Sequence, residues 1–456
     1  MASSAETRNP SGRTIATVAV VSGTFMSVLG STILNVPIAD IARDLHVSIA
    51  DASLLITSQA ITFATLLPLG DWLGNRFGRR KVYCIVIAVY GIGSVVGAVA
   101  PNLAVLVVVR IVQGAAAAGI VPLVMTLLAE LYDPGDRPLA LSAWAMANSA
   151  GQALGPPLGG IFTSLFGWRS IFLPAAFIAV FACIGAWRYL PGDVPRRQPL
   201  EWRGAGTLTL AALLLLSALT AIPQLGLRSP WLALIALGGG ASLFAFIWVI
   251  RTAPAPFVSP QAFREPSYVT SCVGIFASTL AFAAALLAIP LYLRQALAVP
   301  VAAAGFITLT MPLAMALIAP FSSVLVRRYG SGGTIQLGLI AVAAAAALLA
   351  LTVYLQLGLW MFFPAMVLLG AALAAQYTAG ASGATQTAAG RYGAGIGFFN
   401  LLRIAGAAAG PALVAIVLQQ DAAAYAQIFA ISGVLVLAGF AFTLAVERRQ
   451  VIAKPT

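Results

Sequence analysis

Two arginines stand in the middle of long apolar runs: Arg110 in LVVVRIVQGAAAA and Arg403 in FFNLLRIAGAAAG. A guanidinium in such a setting costs about 2.5–3.5 kcal/mol on insertion scales, so each is a functional candidate by default. Such a cation either hydrogen-bonds backbone carbonyls or meets an opposite charge, whose attraction is strong where the dielectric is low. The thirteen acids are Glu6, Asp40, Asp44, Asp51, Asp71, Glu130, Asp133, Asp136, Asp193, Glu201, Glu265, Asp421 and Glu447. None falls at the midpoint of an apolar run. A group that carries protons by a shifted pKa is normally a buried carboxylate or histidine. The acids nearest to that task are Asp40 on one side, and Asp71 and Glu130 on the other. Asn35, Gln59, Gln113, Asn148, Gln152, Gln376 and Asn400 are the polar residues within apolar runs. At most half of them are expected to line a cavity, and the rest to make interhelical hydrogen bonds.

Enzymatic chemistry finds little here. His46 is the single histidine, which removes Ser-His-Asp and Cys-His catalysis and histidine-rich zinc sites. Cys84, Cys183 and Cys272 are far apart and inside apolar runs, with no disulfide or metal spacing; they read as small apolar filler. Lys81 and Lys454 are the only lysines, and neither sits in a P-loop pattern. An enzyme acting on membrane lipid would need acids, histidines or cysteines clustered at one interface, and a receptor would need a soluble domain. The sequence offers neither, and no cofactor or metal is expected.

The elements that hold these residues are set by composition. Of 456 residues, 61% are hydrophobic and 8% are charged, against about 25% charged in soluble domains. The apolar blocks reach the 20 or so residues that cross a bilayer, where the backbone must be helical. Spans are expected at 14–38, 50–70, 82–100, 103–130, 138–165, 169–190, 204–223, 230–250, 267–293, 301–326, 334–355, 358–380, 392–419 and 425–446, fourteen in all. The run after Arg13 is longer than a signal-peptide core and reads as the first span. The net charge of +12 and pI of about 10.2 would suggest nucleic acid in a soluble protein. Here the cations lie at helix ends, so they report topology instead. With the N-terminus inside, nineteen Lys and Arg face inward and four outward, and both termini are cytoplasmic.

Polar interruptions divide the chain. Residues 1–13 form a tail, 14–190 a six-helix bundle, 191–203 a linker and 204–250 two inserted helices. A second linker follows at 251–266, then a second six-helix bundle at 267–446 and a tail at 447–456. Internal echoes support two related halves. Leu73, Arg76, Phe77 and Gly78 read L-x-x-R-F-G, and Leu325, Arg328, Tyr329 and Gly330 read L-x-x-R-Y-G. Gly151, Gly155 and Pro156 read G-x-x-x-G-P, as do Gly406, Gly410 and Pro411. Transporters are commonly built from such repeats, with the substrate site between them.

The chain resembles the major facilitator superfamily, in its fourteen-helix drug:proton antiporter branch, over essentially its whole length. Asp71 to Arg80, DWLGNRFGRR, is similar to the superfamily loop G-x-L-x-D-R-x-G-R-R through Leu73, Arg76, Gly78, Arg79 and Arg80. Asp71 replaces the usual Gly, and Asn75 the usual Asp. Arg110, Gln113 and Gly114 resemble the R-x-x-q-G pattern. Gly151, Gly155, Pro156, Gly159 and Gly160 resemble the antiporter signature G-x-x-x-G-P-x-x-G-G. Trp168, Arg169, Ile171 and Phe172 resemble the W-R-x-I-F element. Leu29 to Val36, LGSTILNV, is similar to L-D-x-T-i-v-N-V, with Gly30 in place of Asp.

The resemblance implies an all-α membrane protein that exports drug-like small molecules by alternating access. It implies proton antiport with Arg110 in coupling, a conformational latch in the Arg76–Arg80 loop, and rocking at the glycine–proline helix. The alternative is a gradient-independent facilitator or metabolite exporter. Midplane arginines without midplane acids point to neutral or anionic cargo over lipophilic cations. A monomer in a bacterial cytoplasmic membrane is expected, with protons and the lipid bilayer as partners and no nucleic acid.

Overall fold

The computed structural model describes residues 10–192, 201–254, 256–385, 392–421 and 424–453. Among them every regular element is a helix. Fourteen are long: α1 (Pro10–Thr32), α2 (Ile49–Leu66), α3 (Arg79–Ala98), α4 (Leu103–Leu131), α5 (Arg137–Phe166), α6 (Leu173–Tyr189), α7 (Trp202–Leu225), α8 (Pro230–Thr252), α9 (Pro266–Gln295), α10 (301–329), α11 (331–354), α12 (Phe362–Ala384), α13 (Tyr392–Gln420) and α14 (Tyr425–Ala453). Twelve stretches meet the length and composition of a bilayer crossing. One of these, Ala303–Tyr354, contains both α10 and α11, which part at Gly330 (φ 72°). α5 falls outside the twelve because Gly, Ser, Asn, Gln and Pro dilute its hydropathy, yet it runs 30 residues.

The outward faces explain why these helices suit lipid. Along α3, Ile85, Val89, Ile92 and Val96 are exposed, while Tyr83, Ile87, Tyr90 and Ser94 are fully buried. The two sets alternate at the helical period. The polar hydroxyls face inward and the aliphatic residues outward, the reverse of a soluble helix.

By contact, the chain forms two compact units, Met1–Leu200 and Glu201–Thr456. In the first, α1 packs on α5, α6 and α4, and α2 and α3 pack on α4. Ile33, Leu34, Ile41, Leu55, Leu106, Trp168 and Phe172 share a buried cluster. In the second, α9 packs on α13, α14 and α12. The helices expected as an insert, α7 and α8, group with this unit. α7 packs on α13, and Ala218, Ile222, Leu232 and Ala412 share a core.

Two stretches differ from the sequence reading. The first helix stops at Thr32 and gives way to a 3-10 turn, Ile33–Asn35, and a short helix, Ile38–Asp44. Pro37 stands at the junction and has no N–H to continue the ladder. The basic turn after α2 contains its own two-turn helix, Gly70–Phe77. It ends at Gly78, whose φ of 96° disfavours a side chain. Gly330, its echo, ends α10 the same way at φ 72°. Of the first linker, residues 193–200 lie outside the described residues.

Candidate functional site

Arg110 sits two turns into α4, which starts at an Asn102 cap accepting from the Val105 N–H at 3.0 Å. Its side chain is 1% exposed. Nε donates to the Leu55 carbonyl of α2 at 2.9 Å. Nη1 donates to the Gly30 carbonyl of α1 and to Gln113 Oε1, each at 3.0 Å. Gln113 Nε2 passes the chain on to Ser94 Oγ of α3 at 3.0 Å. One guanidinium therefore ties α1, α2 and α4 together, and reaches α3 through Gln113. Among the described residues no carboxylate lies within ion-pair distance of it. Gln59 is 3% exposed and makes a long contact to the Tyr90 hydroxyl at 3.5 Å. Carbonyl dipoles, not a counter-ion, compensate this charge.

Arg403 is placed differently. It lies on α13 and is only partly buried. Nε donates to Asn400 Oδ1 at 3.2 Å, and Nη1 to the Tyr377 hydroxyl of α12 at 3.3 Å. Its guanidinium carbon stands 5.5 Å from the centre of the Tyr377 ring. Asn400 is enclosed, and its amide donates to the Ile396 carbonyl at 3.0 Å. Gln376, also enclosed, donates to the Ile335 carbonyl at 2.8 Å. On α5, Gln152 is partly buried and donates to the enclosed Asn148 at 2.7 Å. Asn35 is exposed at the end of its 3-10 turn. Of the seven polar residues in apolar runs, five are thus enclosed within a unit: Gln59, Gln113, Asn148, Gln376 and Asn400.

The acids are engaged at helix ends. Asp40 pairs with its neighbour Arg43 at 3.1 Å on the short helix after α1. Glu130, in the last turn of α4, pairs with Arg79, whose Nη2 also donates to Asn75 Oδ1 at 2.7 Å. The amide at Asn75 thereby takes the place of an acid as an acceptor. Arg80 stacks over Trp187 at 4.7 Å and donates to the Trp187 carbonyl and, at 3.1 Å, to that of Leu190. It caps the C-terminus of α6, where a cation is favoured. Arg76 is exposed, and the Asp71 side chain lies outside the described residues. These described partners of the basic turn all belong to the first unit.

The glycine signatures are contact surfaces. A Cβ on Gly155 would overlap Thr32 Oγ1, and one on Gly159 would overlap the Ile33 carbonyl. Gly151 meets Val28 at 3.0 Å. α5 therefore lies backbone-to-backbone against α1. In the second unit, a Cβ on Gly406 would overlap Thr279 Oγ1 and the Phe276 carbonyl, and one on Gly410 would lie 2.5 Å from the Ala284 nitrogen. α13 thus crosses α9 as α5 crosses α1. Pro156 and Pro157 lie within the continuous α5, and Gly160 makes only an ordinary contact with Val36 at 3.7 Å.

Tyr90, Tyr377 and the cluster at Asp44 escaped the sequence reading. A tyrosine inside an apolar run needs a partner for its hydroxyl, and that was the available signal. Asp44 accepts from Arg169 Nη1 at 2.7 Å and from Trp168 Nε1 at 3.0 Å. The Arg169 hydrogen bond, followed by that from Trp168, holds the Asp44 carboxyl below the usual carboxylate range. This clip fastens the helix after α1 to the turn after α5. Cys84 and Cys183, read as filler, each point the sulfur at the other's carbonyl at 3.9 Å.

The Major Facilitator Superfamily profile matches residues 20–255 and 271–455. The multidrug export protein EmrB of Haemophilus influenzae is 28% identical over 286 residues, 61% of this chain and 55% of that protein. The methylenomycin A resistance protein of Bacillus subtilis is 32% identical over 279 residues, 60% of this chain and 59% of that protein. The alignments thus span little more than half the length of these relatives. Among solved structures, the human organic anion transporter MFSD10 superposes with a TM-score of 0.69 at 18% identity, covering 95% of this chain and all of that one. The proton:xylose symporter XylE gives 0.66 at 16% identity, covering 96% of both chains. At these identities the likeness is one of fold.

Proposed function

The chain belongs to the Major Facilitator Superfamily, and from that premise we propose that it is a secondary exporter of small, drug-like molecules. It works by alternating access in a bacterial cytoplasmic membrane, with both termini in the cytoplasm. The observation that carries this reading is the twofold recurrence of two devices. Each unit has a basic turn closed by a positive-φ glycine, at Gly78 and Gly330. Each also has a glycine-faced helix laid against another backbone, α5 on α1 and α13 on α9. Two units with the same internal joints suit a mechanism in which one rocks against the other. The relatives named for drug export and antibiotic resistance supply the cargo class.

Proton antiport is the leading energy source, on the strength of the resemblance, and the monomer is the working unit. A gradient-independent facilitator of neutral or anionic compounds is the second reading. It is favoured by one observation: Asp40 and Glu130, two of the three acids among the coupling candidates, pair with cations at helix ends. Liposomes holding the purified protein, with and without an imposed pH gradient, separate the two. Cargo flux that collapses with the gradient supports antiport; unchanged flux sinks it. A susceptibility panel in cells lacking their own pumps tests export itself.

A further inference from the structure

The two intramembrane arginines share a charge and differ in reach. Arg110 is sealed in the first unit, 1% exposed, with Nε and Nη1 donating to carbonyls and Gln113 and Nη2 enclosed. A ligand reaches it only if four helices part. Arg403 is only partly buried. A guanidinium turned to hydrocarbon is expensive, so the accessible part of such a residue belongs to a water-filled path.

Among the described residues no acid meets its charge. The described acids of the second unit all lie at helix ends. Glu201 caps α7, Glu265 precedes α9, Asp421 follows α13, and Glu447 accepts from Gln336 at 2.7 Å near the end of α14. None is within ion-pair distance of Arg403. What holds it is neutral: the Asn400 amide oxygen at 3.2 Å, the Tyr377 hydroxyl at 3.3 Å and the Tyr377 ring at 5.5 Å. These fix Nε and Nη1 and restrain the side chain from two helices. A fixed, partly desolvated guanidinium without a counter-ion is a receptor for an oxyanion, two of whose oxygens it can engage by parallel hydrogen bonds.

We propose that Arg403, oriented by Tyr377 and Asn400, is an anion subsite that takes the carboxylate or sulfonate of the cargo. The inference rests on the exporter reading above and narrows its cargo. Arg110 has no part in this recognition; it holds the first unit together.

The test uses full-length protein in lipid nanodiscs and two fluorescent probes of the same shape, 1-naphthoate and the uncharged 1-naphthamide. The wild type binds naphthoate at least ten-fold more tightly. Arg403→Gln abolishes that preference, and Arg403→Lys recovers part of it. Tyr377→Phe weakens naphthoate alone. Benzenesulfonate displaces naphthoate from the wild type, an arm that needs no variant to fold. Equal wild-type affinity for both probes, binding of neither, or a preference that survives Arg403→Gln overturns the proposal. The exporter reading stands or falls separately, on flux of neutral cargo in the liposomes.

Discussion

The Tyr90 hydroxyl of α3 fills the space that a side chain on Gly30 of α1 would occupy: a Cβ there would overlap its oxygen. The superfamily pattern that this stretch resembles carries an acid at that position. The absence of the acid and the presence of the phenol beside Arg110 are therefore one structural fact. Gly30→Asp is expected to destabilise the protein by about 1–3 kcal/mol through overpacking. Removing the oxygen in Gly30→Asp/Tyr90→Phe restores most of that loss, although the ring carbons stay close, at 3.2 and 3.4 Å. Thermal unfolding of the three variants in detergent measures it. A single variant as stable as the wild type contradicts the packing.

The glycine signature makes unequal demands along its length. Gly159 meets the Ile33 carbonyl, a backbone atom that cannot rotate away. Gly159→Ala is expected to cost about 1–3 kcal/mol and to reduce efflux, because α5 must separate from the chain after α1. Gly160 has only Val36 at 3.7 Å, so Gly160→Ala is expected to be neutral or slightly stabilising, alanine being the better helix former. Unfolding midpoints and efflux rates of both variants decide whether the signature acts by contact.

Glu130 faces the guanidinium of Arg79, which stays hydrogen-bonded to Asn75. The acid is 42% exposed, so the pair contributes about 1 kcal/mol or less. Glu130→Gln is expected to lower stability by that amount and to leave the pH profile of efflux in liposomes unaltered. A flattened profile in this variant would assign Glu130 to coupling instead.

Asp44 gives its clip to Trp168 and Arg169 a pH dependence of definite sign. Its native carboxyl is held below its ordinary value, chiefly by Arg169 and then by Trp168. The folded protein therefore binds this proton less readily than the unfolded chain. The clip's contribution is complete above the unfolded pKa of about 3.9 and is lost as pH falls through the depressed native value. Thermal unfolding followed from about pH 6 to about pH 3 should show a steeper acid decline in the wild type than in Asp44→Asn. Equal slopes would mean that the clip does not form in solution.

Much of the fold was legible in advance. The helix count followed from apolar run lengths, and the echo at Gly78 and Gly330 appeared as two matching turns. The spacing of Gly151, Gly155 and Gly159 predicted a close helix approach, though not that α1 was the helix approached. The stop at Thr32 was not legible because the expected span 14–38 runs through Pro37, which instead begins a separate helix. The site was less legible. Arg110 and Arg403 looked equivalent, two cations in similar apolar runs, and only their surroundings separate them.

The sequence by itself determined which segments are helices in lipid, which ends carry the cations, and that the halves are related. These are sums over neighbouring residues, and a bilayer reads them locally. It also determined that the acids lie near helix ends, since the run boundaries are written in composition. The tertiary structure alone decided how each helix is turned about its axis. Lipid and protein interior are almost equally apolar, so hydropathy does not mark which face goes where. That rotation puts Arg110 against carbonyls 55 and 80 residues away in sequence and sets the Tyr90 oxygen in the space above Gly30. It also leaves Arg403 only partly buried beside Tyr377.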